Sequence, residues 1–212
     1  MRLAKRNMQP IWNGDRRDRV KWSAIYHLSD KHGIRDIVWV AFKRDETDKI
    51  LCIYETDPTL QKHDSMIPVP DRVWSHFSDL ERIKELFDDG RTVHVLSEPF
   101  EHQGRKKYID DVIACISKVR KPCLVFLDPD TGIAPLKTTV KHVAEREIRE
   151  IWDSLKSLDM LLVYQHGERA DKKKKWLTSC ETFESACGGA DVSGTRSPQI
   201  AEDVALFWAT HD

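Results

Sequence analysis

Leu124-Val125-Phe126-Leu127 is a fully apolar run that stops abruptly at Asp128-Pro129-Asp130-Thr131-Gly132-Ile133. A run without alternation between apolar and polar positions reads as a strand covered on both faces, the usual state of a parallel strand between layers of helices. Ligands of such sheets bind beyond the carboxyl ends of the strands, and two carboxylates one residue apart stand at this one. Pro129 cannot extend a hydrogen-bonded ladder, and Gly132 permits a tight turn or the close approach of a ligand. The same residues also suit a plain strand-ending turn; it is the pairing of the acids that points to a site.

The rest of the 212-residue chain repeats the alternation of strand and helix. Helical spacing of Val20, Ala24 and Leu28, with Gly33 as a stop, predicts a helix over 16–31. A strand follows at 37–42. Residues 43–71 are polar and turn-rich around a second short strand at 50–54, which suits a hairpin or a surface insertion. A helix is expected over 70–89, where Val73, Trp74, Phe77, Leu80, Ile83 and Phe87 keep register. Strands at 92–96, 124–127, 160–164 and 204–210 alternate with helices at 106–119, 143–157 and 172–186, and 188–198 reads as a loop. Parallel neighbours need helical crossovers, so the pattern predicts one α/β domain over 1–212, with 43–71 as its candidate insertion. Its sheet should be doubly wound and mostly parallel, of Rossmann or methyltransferase-like type.

At 40% apolar residues the chain can furnish a substantial core, and a net charge of −1 within a 33% charged composition neither demands nor forbids a nucleic-acid partner. Two local basic patches exist, Arg16, Arg17, Arg19 and Lys21, then the four lysines at 172–175. The five cysteines show no metal-ligand spacing and are read as reduced thiols. No apolar stretch approaches membrane-spanning length, so a soluble cytoplasmic protein without a membrane partner is expected.

In such a fold the residues after each strand converge, which gathers Lys43, Asp45, Glu98, Asp128, Asp130 and the segment Gln165-His166-Gly167-Glu168-Arg169 at one crevice. His166 suits a general base, a metal ligand or a donor to a base edge, and Arg169 suits a phosphate or carboxylate. An ordinary loop histidine and a solvated Glu168–Arg169 pair are the structural alternatives. Asp128, Asp130 and a third acid, Glu98 or Glu168, would hold a hard cation such as Mg²⁺ or Mn²⁺ for a nuclease or phosphoesterase, with His166 activating water. Trp176, directly after the lysine run, reads as core, with base stacking as the functional alternative.

Three segments together resemble a family of uncharacterised bacterial proteins: Asp18-Arg19-Val20-Lys21, the motif from Val125 to Ile133, and Leu162-Val163-Tyr164-Gln165-His166 followed by Arg169. Lys141-His142-Val143 fits the same pattern. More distantly, the layout is similar to the ribosomal-RNA adenine-N6 methyltransferases, which carry an Asp-x-x-Lys-His element on a first helix and Asp-Pro-Pro-Tyr at the end of the fourth strand. That resemblance implies S-adenosylmethionine-dependent methylation of a base, with Asp128 and Pro129 holding the target amine and Lys21, Lys43 and Asp45 on the cofactor side. The catalytic set expected is Asp128, Asp130, His166 and Arg169, and nucleic acid is the expected partner. The sequence departs from that family at Trp22, where it has histidine. Asp130 and Thr131 replace its Pro-aromatic pair, and no glycine-rich turn follows the first strand. These departures motivate two rivals, the metal-dependent phosphoesterase and a catalytically inactive binding or defence-associated module. The toprim nucleases also end a strand with two acids one residue apart, but with a glycine one position later.

Overall fold

The structure, a computed structural model, describes residues 16–42, 86–96, 98–135, 137–167 and 172–212, the side chains of 172–174 excepted. The expected insertion at 43–71, the strand at 50–54 and most of the helix expected over 70–89 lie outside these residues. Leu86 to Asp89, its last four positions, are not helical.

Helix α1 (Arg16–Lys31) forms where expected and buries Val20, Trp22, Ala24, Ile25 and Leu28. It stops at Gly33, whose φ of +64° no β-carbon residue adopts cheaply. Strands β1 (Asp36–Val40) and β3 (Cys123–Leu127) are buried at all five positions, as continuous apolar runs require. They flank one another in parallel, with Val40 opposite Leu127. Strand β2 (Thr92–Leu96) pairs with the other side of β1, and β6 (Met160–His166) with the other side of β3, both in parallel. Helix α2 (Arg105–Ile116) carries the chain from β2 across β1 to β3.

Two pieces of the fold lie where no strand is expected. Gly132–Ile133 (β4) and His142–Val143 (β5) form a two-stranded parallel pair outside the main sheet. Strand β7 (Ser193–Ser197) lies in the segment read as a loop. Its Ser-Gly-Thr-Arg-Ser sequence has no apolar side chain to bury, and it is held at the sheet edge by antiparallel pairing with β8 (Glu202–Thr210). Helix α3 (Glu145–Trp152) is shorter than expected, and the chain turns through Leu158 at φ +68° before β6. Helices α4 (Lys172–Ala186) and α5 (Pro198–Ala201) complete the described elements.

The six strands run in the order β2-β1-β3-β6-β8-β7, the first four parallel and β8 antiparallel to both neighbours. One face of the sheet packs on α1 and α5 through Ile37, Trp39, Phe126, Leu162 and Leu206. The other packs on α2, α3 and α4 through Val38, Val125, Leu161 and Ala205. This is the doubly wound, mostly parallel α/β fold expected. The strand order reverses between β1 and β3, which puts the ligand crevice of such a sheet at their carboxyl ends. Among the described residues no helix is long and apolar enough to cross a membrane.

Candidate functional site

Asp128 is the first residue beyond β3, and its N–H still donates to Val40 O at 3.0 Å, extending the ladder to the mouth of the switch point. Its side chain turns toward α1. Asp18 and Lys21 are three residues apart on that helix and so share a face. The Lys21 ammonium lies 2.8 Å from Asp128 Oδ1 and 3.1 Å from Asp18 Oδ1. Trp39 Nε1–H donates to the second oxygen of Asp128 at 3.2 Å. Trp39 is steadied in turn by an edge contact with Trp22, at 5.2 Å between ring centroids.

The Lys21–Asp128 pair is shielded from water, its side chains 12% and 9% exposed. Burial opposes the lysine charge, but Asp128, then Asp18, outweigh it and hold Lys21 well above the ordinary lysine range. Lys21 therefore serves as a fixed cation. Its ammonium also sits 4.3 Å over the Tyr164 ring. Burial pushes the Tyr164 hydroxyl up, against the pull of Lys21 and Arg17, so it stays protonated.

From Tyr164 the polar chain continues along the end of β6. Its hydroxyl is 3.3 Å from His166 Nδ1, and that nitrogen is 3.7 Å from Asp203 Oδ2. Arg17 closes the series by donating to the same oxygen, at 3.1 Å from Nε and 2.6 Å from its terminal nitrogen. Burial resists ionisation of Asp203, but Arg17 prevails and holds it below the usual carboxylate value. A buried series of charges is a poor stabilising device. Assembled where strand ends converge, it makes a candidate functional site.

Among the expected site residues, Lys21, Asp128 and His166 belong to this one assembly. Asp130 is exposed in the following loop, in surroundings unlike those of Asp128. Glu98 is exposed two residues beyond β2. Lys43, Asp45, Glu168 and Arg169 lie outside the described residues. Sequence reasoning passed over Asp203, Arg17 as its partner and Trp39 as a donor. Only the pairing of β6 with β8, His166 opposite Val204, brings Asp203 alongside.

Gln165 has a different part from the one its neighbours suggested. Fully buried, it accepts from Ile133 N–H at 2.9 Å and donates to Thr131 O at 3.1 Å and His166 O at 3.0 Å. It thereby clamps the acidic loop to the end of β6. Gly132, at φ +101°, makes room for it, since a β-carbon there would lie 2.4 Å from the amide oxygen. Tyr164 is buried under Lys21 and offers no open face to a base.

Both Asp128 oxygens already accept from side chains, and no three acids, histidines or cysteines gather into a cation-sized group among the described residues. Glu98, an exposed carboxylate two residues past β2, is of the kind that would take the ribose hydroxyls of an adenosyl cofactor.

The fold and site thus define an α/β protein with a buried lysine–aspartate centre at the switch point of its sheet. No protein-family model matches the chain, and no curated protein matches it in sequence. Among solved structures it is similar to a DUF574 family protein from Streptomyces avermitilis, at 9% identity over 92% of this chain and 83% of that one, with a TM-score of 0.43.

Proposed function

We propose that this protein is a nucleic-acid-modifying enzyme that methylates a base with S-adenosylmethionine. The observation that carries the reading is the 2.8 Å contact between Lys21 and Asp128. The resemblance to the adenine-N6 methyltransferases assigns the first-helix lysine and the Asp-Pro after the strand to one catalytic region, and the two meet here at the switch point. The cofactor supplies an electrophilic methyl group. Glu98 would hold its hydroxyls, with Lys43 and Asp45 as the remaining expected contacts.

This chain's own residues prepare the acceptor. Lys21 and Trp39 keep Asp128 aimed, and the carboxylate accepts N–H from the target amine by exchanging one of those donors. Lys21 keeps Asp18 as its partner when it yields. His166, joined to Asp203 and Tyr164, supplies a titratable group one strand away, for the proton that the amine must lose. The closed state of the Lys21–Asp128 pair also favours a second reading, a module that binds nucleic acid without turnover.

Calorimetry with S-adenosylmethionine and S-adenosylhomocysteine, together with transfer of labelled methyl groups to pooled RNA and DNA, separates the two. Methyl transfer predicts a rise in melting temperature with both ligands and label incorporation that is lost in Asp128→Asn. Nucleic-acid binding with neither stabilisation nor incorporation would leave the inactive module.

A further inference from the structure

Lys141-His142-Val143 contributes no side chain to the site, yet its backbone is what the acidic loop returns to. Thr131 donates to Lys141 O from its N–H at 2.9 Å and from its hydroxyl at 3.0 Å. Gly132 and Ile133 then pair with His142 and Val143, and Ala134 N–H donates to Val143 O at 2.8 Å. Strands of two residues have little stability of their own. The place of Asp128, three residues before Thr131, therefore depends on what fixes the far limb.

Arg105, the first residue of α2, fixes it. One terminal nitrogen donates to Thr139 O and the other to His142 O, both at 3.0 Å. Nε and the second terminal nitrogen also grip the two oxygens of Glu147 on α3, at 2.7 and 2.5 Å. Glu147 in turn accepts from Ala144 N–H at 2.8 Å. One ion pair thus holds the segment from Thr139 to Ala144 at both ends. The guanidinium lies 4.6 Å over the Phe100 ring, which Tyr108, three residues along α2, meets at 4.9 Å. The Tyr108 hydroxyl accepts from Phe42 N–H at 3.2 Å and donates to Leu96 O at 3.3 Å. The amino end of α2 therefore grips the exits of β1 and β2 through Tyr108, and the far limb of the acidic loop through Arg105.

The Arg105 and Glu147 side chains are 13% and 5% exposed. A buried ion pair adds little net stability over apolar groups of the same volume. What this one adds is direction, because a planar fork that must meet a carboxylate and two carbonyls together admits a single orientation of the turn. We propose that Arg105 is a positioning residue for the reaction at Asp128, acting through the Thr139–His142 turn to set where the carboxylate stands. The assignment rests on the methyl-transfer reading above and extends its machinery to a helix that does not touch the reacting atoms.

The test compares the full chain with its Arg105→Lys variant, which keeps a charge beside Glu147 but cannot span the carboxylate and both carbonyls. Two quantities are read on folded protein. One is the nuclear magnetic resonance signal of the Trp39 indole N–H, which donates to Asp128 and is assigned with Trp39→Phe. The other is the kcat and KM of methyl transfer. In Arg105→Lys the Trp39 signal should move while that of Trp208, on β8, stays. Its kcat should fall roughly ten- to a hundred-fold, as misplacement of a reacting group does, with the KM for S-adenosylmethionine unchanged. A role confined to stability would lower the melting temperature and leave both readings per folded molecule as they are. Glu147→Gln, which removes the oxygen shared by Arg105 and Ala144, carries the same expectations and serves where Arg105→Lys does not fold. With active wild type, an unmoved Trp39 signal or an unchanged kcat in the folded variant overturns the proposal. With inactive wild type, a Trp39 signal that moves supports Arg105 as what positions Asp128 and removes only the methyltransferase reading; a signal that stays overturns both.

Discussion

At the amino edge of the sheet Asp159 is fully buried and accepts from two backbone donors, Cys123 N–H and Lys156 N–H, both at 2.8 Å, as well as from Lys121 at 2.7 Å. At the carboxyl edge the side chain of Asp128 is 9% exposed, and side-chain donors, Lys21 and Trp39, reach its oxygens. Backbone donors cannot leave without unfolding the chain around them, whereas side-chain donors move by rotating. The first arrangement staples β3 to β6; the second is the one that the proposed reaction would exchange for a substrate. The thiol beside Asp159 fits this division, since burial, followed by Asp159, pushes Cys123 up to about 12 and leaves it unreactive at neutral pH.

The contrast is broken most decisively by Asp128→Asn. If the carboxyl edge is the working end, this variant should lose methyl transfer by ~100-fold or more, the scale of removing a group that acts on the reacting atoms, while remaining folded by circular dichroism. Asp159→Ala should do the reverse. It leaves two buried N–H groups unpaired and should cost about 2–4 kcal/mol in urea unfolding, with the rate per folded molecule retained. A rate loss in Asp159→Ala larger than that in Asp128→Asn would erase the distinction.

Smaller effects sharpen it. Gly132→Ala places a methyl group inside the van der Waals space of buried Gln165 in a conformation that disfavours any β-carbon, so a cost of about 2–3 kcal/mol is expected from overpacking and backbone strain. Hydrogen exchange should locate the loosening at Thr131 to Ile133. The least effect is expected from Arg17→Gln. Asp203 is held below its ordinary value of 3.8 mainly because Arg17 outweighs burial. That pair stabilises the fold above about pH 4, and the contribution disappears as pH falls through the folded-state value. Wild type should therefore lose more stability than Arg17→Gln between pH 5 and pH 2, by less than ~1 kcal/mol for a partly exposed pair. Identical acid limbs in urea titrations would show that Arg17 does not tune this carboxylate.

The strands that bury both faces were legible because parallel pairing leaves no solvent face to interrupt the apolar run: β1, β3 and β6 lie where they were expected, with ends shifted by one or two residues. Strand β7 could not, since Ser193 to Ser197 enter the sheet through backbone pairing alone. The site divides similarly. Asp128 and His166 were visible as polar residues ending apolar strands. Asp203 was not, because its place depends on β8 running antiparallel into the space beside β6. Gln165 stood in plain view within Tyr164-Gln165-His166, but nothing local distinguishes a glutamine that faces a crevice from one that turns inward to hold a loop.

That glutamine carries a warning for any saturation survey of this chain. Its amide offers one acceptor to an N–H and two donors to carbonyls, a set that glutamate, with oxygen at both positions, cannot reproduce when ionised. Leucine leaves all three groups stranded. Position 165 should therefore tolerate almost no replacement and score as intolerantly as Asp128, though it touches neither substrate nor proton. Only a measurement that divides turnover by the amount of folded protein would tell the fastening from the tool.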